Sequence, residues 1–305
     1  MTQPWVAERV VDPDLARALV DAQFSDLRPV HAEPFGVGFD NTAYLVNREW
    51  VFRFPRRIAA VPWLLREVRA LPLLARRLPA PVPVPERIGE PSESYPWPFA
   101  GYRLLAGRTG CCFALSDAER AALAEPLARF VAALHAISAT EAAAFCTLGD
   151  ELGKLDVAAR TPIARAQLAE LVERGLLAAD ARQRLEQIVA ATPVDAQRPA
   201  AVVVHGDLYV RHLLLDEQRR LAGVIDWGDV HLGDRALDLA AASLTLPPHA
   251  HAAFRAAYGA IDEATWQLAR FRAVFHAAAC VRYAADVNDE DLGREGRQAL
   301  AWMAA

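Results

Sequence analysis

The segment from Ala201 to Asp229, AVVVHGDLYVRHLLLDEQRRLAGVIDWGD, constrains this chain more than any other. A β-branched apolar run, Ala201 to Val204, breaks at His205-Gly206-Asp207. A second run, Leu213 to Leu215, leads into the polar turn Asp216 to Arg220, and a third, Leu221 to Ile225, ends on Asp226-Trp227-Gly228. Two apolar runs flanking a polar turn predict a β-hairpin. With Gln218 and Arg219 in the turn, His212 falls almost opposite Ile225 and beside Asp226. The hairpin then gathers Asp207, His212 and Asp226 at one end. Carboxylates so placed repel one another unless they hold a cation or share a proton. Taken singly, each Asp also suits a turn, where its side chain bonds nearby backbone groups.

The joint pattern is HGDL, a ligand-type residue, an apolar run and IDWGD. It resembles the catalytic and metal loops of the aminoglycoside phosphotransferase family and its macrolide kinase relatives. The resemblance implies an α+β, protein-kinase-like bilobal fold. An N-terminal antiparallel sheet lobe, residues 1–103, would bind nucleotide. A mostly helical C-terminal lobe, residues 104–305, would carry the catalytic loop, the metal loop and the acceptor site. It further implies that Asp207 accepts the hydrogen bond of an acceptor hydroxyl and aligns it with the γ-phosphate, while Asp226 binds Mg2+ with His212. Most relatives supply asparagine where this chain has His212. Magnesium prefers hard oxygen ligands, but the 2″-aminoglycoside and macrolide branches also carry histidine, so His212 points to those branches.

The rest of the chain is compatible with that reading. Its 305 residues are 53% hydrophobic, enough for two domains or two lobes. With 33 basic and 38 acidic residues the formal charge is −5, which lacks the basic excess of a nucleic-acid binder. Met1 to Val10 has no basic-then-apolar leader pattern, and no apolar run approaches membrane-spanning length. Cys111, Cys112, Cys146 and Cys280 show neither CxxC spacing nor a disulfide framework. A cytoplasmic monomer that meets small molecules, not nucleic acid or membrane, is the expectation.

Asp14 to Phe24 reads as a short amphipathic helix. Gly36 and Gly38 then lie in a loop leading into the strand-like Thr42 to Val46, and Asn47-Arg48-Glu49 turns into Trp50 to Phe54. Strand, glycine loop, strand is the arrangement with which protein kinases cover nucleotide phosphates, whereas a Walker loop must open a helix. In the kinase fold a basic residue on the next strand grips those phosphates and is held by a helix glutamate. The matching positions are Arg53 and Glu67, the latter on a helical stretch from Val61 to Leu78. Arginine departs from the usual lysine but still offers a planar, always-charged fork. Pro72 threatens that helix, and Arg66 or Arg69 compete for Glu67. Pro79 to Pro85 is a stiff extended connector. Tyr95 to Arg108 reads as a strand and resembles the hinge of the aminoglycoside 2″-kinases. That match puts Tyr102 at the gatekeeper position and assigns base-binding backbone groups to Arg103 and Leu105. A bulky gatekeeper accompanies guanine use in that branch, so GTP is expected ahead of ATP as donor.

Beyond Ser116 the pattern is helical. Ser116-Asp117-Ala118-Glu119 is a capping box opening a stretch to about Ile137, bent at Pro126. His135 reads as a satisfied core histidine. Thr161-Pro162 reads as another helix start, and TPVDAQRP, residues 192–199, as a linker. The resemblance assigns Asp238 a supporting role beneath the catalytic loop. Leu239 to Ile261 contains no carboxylate. Acids return at Asp286, Asp289, Glu290, Asp291 and Glu295, ahead of Trp302, as at the end of the 2″-kinases. Of these, Asp286, Asp289, Glu290 and Trp302 are candidate acceptor contacts, although a solvated helix face explains the same charges.

The expected function is transfer of a γ-phosphate to a hydroxyl of an aminoglycoside-like antibiotic, with a macrolide kinase or a metabolic small-molecule kinase as alternatives. A metal-dependent hydrolase built on His205, Asp207, His212 and Asp226, and a non-catalytic nucleotide-binding module, use the same residues differently.

Overall fold

The computed structural model describes residues 6–146, 149–194 and 201–305. The chain divides into two compact units, Met1–Arg76 with Pro81–Leu105, and Arg77–Ala80 with Ala106–Ala305.

The first unit opens with helix α1, Pro13–Gln23, which starts where Asp12 accepts the Leu15 N–H at 2.8 Å and proline fills the first helical position. Strands β1 (Ala32–Val37), β2 (Asn41–Val46) and β3 (Trp50–Pro55) follow. Then come helix α2 (Val61–Leu74) and strands β4 (Pro85–Gly89) and β5 (Phe99–Arg103). The strands form one sheet in the order β1-β2-β3-β5-β4, with every pairing antiparallel. Alternation along β3 decides its two faces. Trp50, Phe52 and Phe54 are buried, while Val51 and Arg53 point the other way. The buried face packs with Phe99 and Tyr95, and Phe54 stacks on Phe99 with ring centroids 4.7 Å apart. Truncating an aromatic ring at such a site costs about 3–5 kcal/mol. Helix α2 ends at Leu74, short of the expected Leu78, and Pro72 lies inside it.

The second unit contains β6 (Arg108–Thr109), α3 (Asp117–Ala122), α4 (Ala124–His135), α5 (Ala139–Ala142), α6 (Val157–Glu173) and α7 (Ala179–Ala191). It continues with β7 (Val202–Val204), β8 (Leu213–Leu215), β9 (Leu221–Val224) and β10 (His231–Gly233). Helices α8 (Ala236–Thr245), α9 (His251–Tyr258), α10 (Glu263–Val287) and α11 (Glu290–Met303) complete it. The Ser116 capping box forms, and the stretch after it breaks at Leu123 instead of bending as one helix at Pro126. Helix α6 begins at Val157, so Thr161-Pro162 lies inside it and is not its start. The stronger start signal is Asp156, whose carboxylate accepts the Ala159 N–H at 2.9 Å. Most of the linker expected at residues 192–199 lies outside the described residues.

The predicted hairpin is β8-β9, with Leu213 opposite Val224. The Ile225 N–H reaches the His212 carbonyl at 2.9 Å, extending the ladder to the residues of interest. β6 adds a third strand to this hairpin, and β7 pairs separately with β10. Among the described residues no helix is long and apolar enough to cross a membrane.

Candidate active site

In the sheet unit, Arg53 leaves the exposed face of β3 and its Nη1 donates to both carboxylate oxygens of Glu67 on α2, at 3.0 and 2.9 Å. Glu67 is 1% exposed and Arg53 17%, so the pair is sheltered and Pro72 does not prevent it. Gly38 lies at the turn from β1 to β2, whereas Gly36, expected in the loop, is inside β1 opposite Ala43, just past a bulge; neither has a positive φ, and a Cβ at Gly36 would meet nothing within 4 Å. Tyr102 is buried on β5, paired in register with Val51. Arg103 is exposed, bonded to Glu49 at 2.7 Å and stacked over Trp50 at 4.0 Å. The Leu104 N–H is spent on the Glu49 carbonyl at 2.8 Å.

In the helical unit, β7 delivers the chain to His205-Gly206-Asp207. Asp238, at the start of α8, holds this bend from beneath. Its carboxylate accepts the N–H groups of His205 at 2.8 Å and Gly206 at 2.9 Å, and it also contacts His135 Nε2 at 3.2 Å. His135 is a core residue whose other ring nitrogen meets the Tyr258 hydroxyl at 2.9 Å. Gly206 has φ +83°, and a Cβ there would lie 2.7 Å from the Asp229 carbonyl oxygen, so only glycine fits. His205 is sealed in against Trp227. Its Nε2 faces the Ile225 carbonyl at 3.0 Å, which can only accept, and its Nδ1 accepts the Asp207 N–H at 3.3 Å. With both ring nitrogens engaged, and burial holding its pKa below the usual value, His205 is a neutral strut. It cannot serve as the metal ligand that the hydrolase reading required.

His212 leaves the hairpin with Nδ1 2.7 Å from the Asp207 carbonyl, so Nδ1 carries the hydrogen and Nε2 faces Asp226 Oδ2 at 3.2 Å. Burial alone would lower its pKa, but the hydrogen bond and charge of Asp226, with the charge of Asp207, raise it above the usual value. Asp226 itself sits at φ +67°, a conformation uncommon for a residue with a side chain and concentrated at functional sites. No group of three or more His, Cys, Asp or Glu among the described residues is arranged to hold a metal ion. The fixed tautomer of His212 leaves its Nε2 lone pair available beside the Asp226 carboxylate once that nitrogen gives up its proton.

Asp207 is the most strongly surrounded carboxylate of the bend. Its Oδ1 lies 3.2 Å from Arg272 Nη2, 3.7 Å from Lys154 Nζ and 3.7 Å from His276 Nδ1. Among the described residues, Oδ2 makes its one ion-pair contact with the His212 ring, at 3.8 Å. Burial pushes the Asp207 carboxyl up, but Lys154, then His276, His212 and Arg272, more than offset it and hold the carboxyl well below its usual value. Sequence reasoning missed Lys154, Arg272 and His276. The two α10 residues sit among apolar neighbours and read as core. For Lys154 there was a signal, since it is the only lysine in the chain.

The C-terminal acids open α11 instead of forming a bare patch. Asp289 is its N-cap, accepting the Leu292 N–H at 3.0 Å, and its other oxygen binds Arg211 at 2.6 Å. Asp286 pairs with Arg174 at 3.1 Å and Asp291 with Arg294 at 2.7 Å. Glu290 is exposed in the first turn, where the helix dipole favours an acid. Glu295 is buried against Arg120, whose guanidinium lies 5.3 Å from the Trp302 ring.

Comparison with known proteins places the chain among phosphotransferases. The chain is similar over 96% of its length to aminoglycoside 2′-phosphotransferase-IIIa in its GDP complex, at 26% identity and a TM-score of 0.69, covering 99% of that chain. The GDP and kanamycin complex of an APH(2″) enzyme matches at 26% identity and a TM-score of 0.67, over 94% of this chain and 97% of that one. The macrolide 2′-phosphotransferase MphH from Brachybacterium faecium matches at 26% identity and a TM-score of 0.58, over 94% and 98%. Residues 31–273, which span both units and the His205–Asp229 loops, match the phosphotransferase enzyme family, and the chain belongs to that family.

Proposed function

We propose that the chain transfers the γ-phosphate of a nucleoside triphosphate to a hydroxyl of an aminoglycoside-like acceptor. The observation that carries this is the single hydrogen-bonded path joining Asp207, His212 and Asp226. It puts an ionised carboxylate, with one oxygen left open, next to a pair of ligands suited to a hard cation. Phosphoryl transfer asks the protein mainly to position groups and neutralise charge. Asp207 Oδ2 accepts the hydrogen bond of the acceptor hydroxyl and aligns its oxygen for attack. His212 and Asp226 hold Mg2+, which when bound neutralises charge on the phosphates.

The nucleotide falls to the sheet residues. Gly36 and Gly38 stand where the backbone does not require glycine, which suits close approach of a ligand to the chain. Arg53, oriented by Glu67, supplies the phosphate-facing cation. Tyr102 limits the depth of the base, and the backbone groups of Arg103 and Leu105 receive its edge. The donor is GTP or ATP.

The likeness to aminoglycoside 2′-phosphotransferase-IIIa along nearly the full chain supports an aminoglycoside acceptor. One observation favours a second reading, a macrolide. Asp286, Asp289 and Asp291 already have arginine partners, and Leu239 to Ile261 offers no acid for a polycation. The test is nucleotide consumption across aminoglycosides, macrolides and small metabolites, with the Michaelis constant of the best acceptor followed against salt. A polycation held by carboxylates shows a constant that rises steeply with ionic strength. A macrolide with salt-insensitive binding selects the second reading, and turnover with small metabolites alone rejects both.

A further inference from the structure

Of the 33 basic residues in the chain, 32 are arginine and one is lysine, Lys154. That lysine stands in the heart of the candidate site. Its ammonium donates to the Gly206 carbonyl at 2.9 Å and to Asp229 Oδ2 at 2.6 Å, and lies 3.7 Å from Asp207 Oδ1. It is 12% exposed. The turn that delivers it is braced on both sides. Asp150 accepts the Leu155 N–H at 3.0 Å, and Arg160 Nε reaches the Gly153 carbonyl at 2.9 Å.

We infer that Lys154 is a positioning residue for Asp207, and that the position demands an ammonium and not merely a positive charge. The inference rests on the phosphotransferase reading for its consequence, but its geometry stands apart from it. Two hydrogen-bond acceptors and, at ion-pair distance, the Asp207 carboxylate converge on one point from two loops. Gly206 and Asp207 belong to the bend after β7, and Asp229 follows the hairpin. Those loops come so close at Gly206 that a Cβ there would meet the Asp229 backbone. A compact ammonium donates to Gly206 and Asp229 from a single atom while keeping its whole charge beside Asp207, and so matches that convergence. A guanidinium spreads its donors over a plane and does not. With Arg272 and His276, Lys154 draws Oδ1 inward and fixes the rotation of the carboxylate, so that Oδ2 is the oxygen presented to an acceptor. The neighbouring ligand pair is tied to the same frame through the Asp207 carbonyl and His212.

The test uses the whole chain. Lys154→Met and Lys154→Arg are compared with wild type in steady-state transfer to the best acceptor from the panel, alongside nucleotide titration and thermal melting. A misplaced reacting group costs about a hundredfold in rate. The expected result is a loss of that order in kcat for both variants, with nucleotide affinity unchanged and a melting temperature that, though lowered by loss of the ion pair, stays above the assay temperature. Lys154→Cys alkylated with 2-bromoethylamine, in a Cys112→Ser background, restores the ammonium and with it most of the rate. Recovery by arginine overturns the ammonium requirement, as does failure of the alkylated protein to regain activity. A loss shared equally by kcat, nucleotide affinity and melting temperature overturns the positioning role.

A second readout needs neither activity nor a foldable Lys154 variant. Lysine labelled with 13C at Cε gives one side-chain signal in this chain. That signal shifts in Asp207→Asn and in Asp229→Asn and stays in place in the control Asp216→Asn. An unmoved signal in Asp207→Asn overturns the proposal even if transfer is observed. Transfer to no acceptor, with the signal moving as expected, leaves the geometry standing and rejects the functional reading alone.

Discussion

Arg120 and Glu295 form a doubly bonded ion pair, Nη2 to the two carboxylate oxygens at 2.8 and 2.7 Å, with side chains only 4% and 3% exposed. The pair links α3 to α11 inside the helical unit. Removing one partner strands the other charge without solvent, which costs about 3–5 kcal/mol. Arg120→Met therefore lowers the stability of the helical unit by that amount in denaturant unfolding. Arg120→Met with Glu295→Leu recovers much of it, because a buried apolar pair replaces two desolvated charges.

Asp207→Asn removes the oxygen acceptor while keeping shape. Transfer falls about 10²–10⁴-fold, the range for loss of a positioned acid–base group, and nucleotide titration remains close to wild type. A coupled assay on both proteins decides it.

Asp226→Ala acts on another quantity. Titrating nucleotide with and without magnesium shows tighter binding with the metal in wild type and no such difference in the variant. His212→Asn keeps a hard oxygen ligand and retains the enhancement.

The donor preference follows from the bulk at Tyr102. GTP is used with a higher kcat/KM than ATP, by about fivefold, the worth of one net hydrogen bond. Tyr102→Ala narrows the ratio, and competition between the two nucleotides in one reaction measures it.

Acid stability depends in part on buried histidines kept neutral, His276 and His205 among them. Burial first, then the charge of Arg272, lowers His276 from 6.5 to about 3. Burial also lowers His205. Below 6.5 the unfolded chain binds protons that the folded chain refuses, so these residues contribute stability that is full above 6.5 and is lost as pH falls toward 3. His212 has the opposite sign. Its raised pKa contributes stability at low pH that disappears as pH rises through it. His276→Gln flattens the acid limb of stability against pH, read as denaturant midpoints between about pH 6.5 and 4.

Much of the site was legible in the chain because its parts are neighbours in sequence. The runs at Leu213 and Leu221 flank a polar turn, and that pattern alone pairs them and sets His212 beside Asp226. Arg53 and Glu67 were also recoverable, although three arginines competed for that glutamate on paper. Burial of Glu67 behind β3 decided between them. The helix start at Thr161-Pro162 was misread because proline is a strong signal and Asp156, a better cap, lay just before it. The surroundings of Asp207 were out of reach for a different reason. Arg272 is 65 residues from Asp207 and Lys154 is 52 from Gly206, and no local period connects such positions. The acids near Asp289 left two readings open in the sequence, and the structure adds that Asp289 caps α11 while Asp286, Asp289 and Asp291 have arginine partners.

That contrast in separation has a kinetic side. The hairpin joining His212 to Asp226 closes a short loop, and contacts of this kind form early because little chain entropy is lost. The Oδ1 clamp on Asp207 waits for the turn at Lys154 and for α10 to arrive from opposite directions along the chain. A refolding molecule thus assembles its ligand pair before its aligned carboxylate. The full set of contacts around Asp207 is completed last, with the docking of α10.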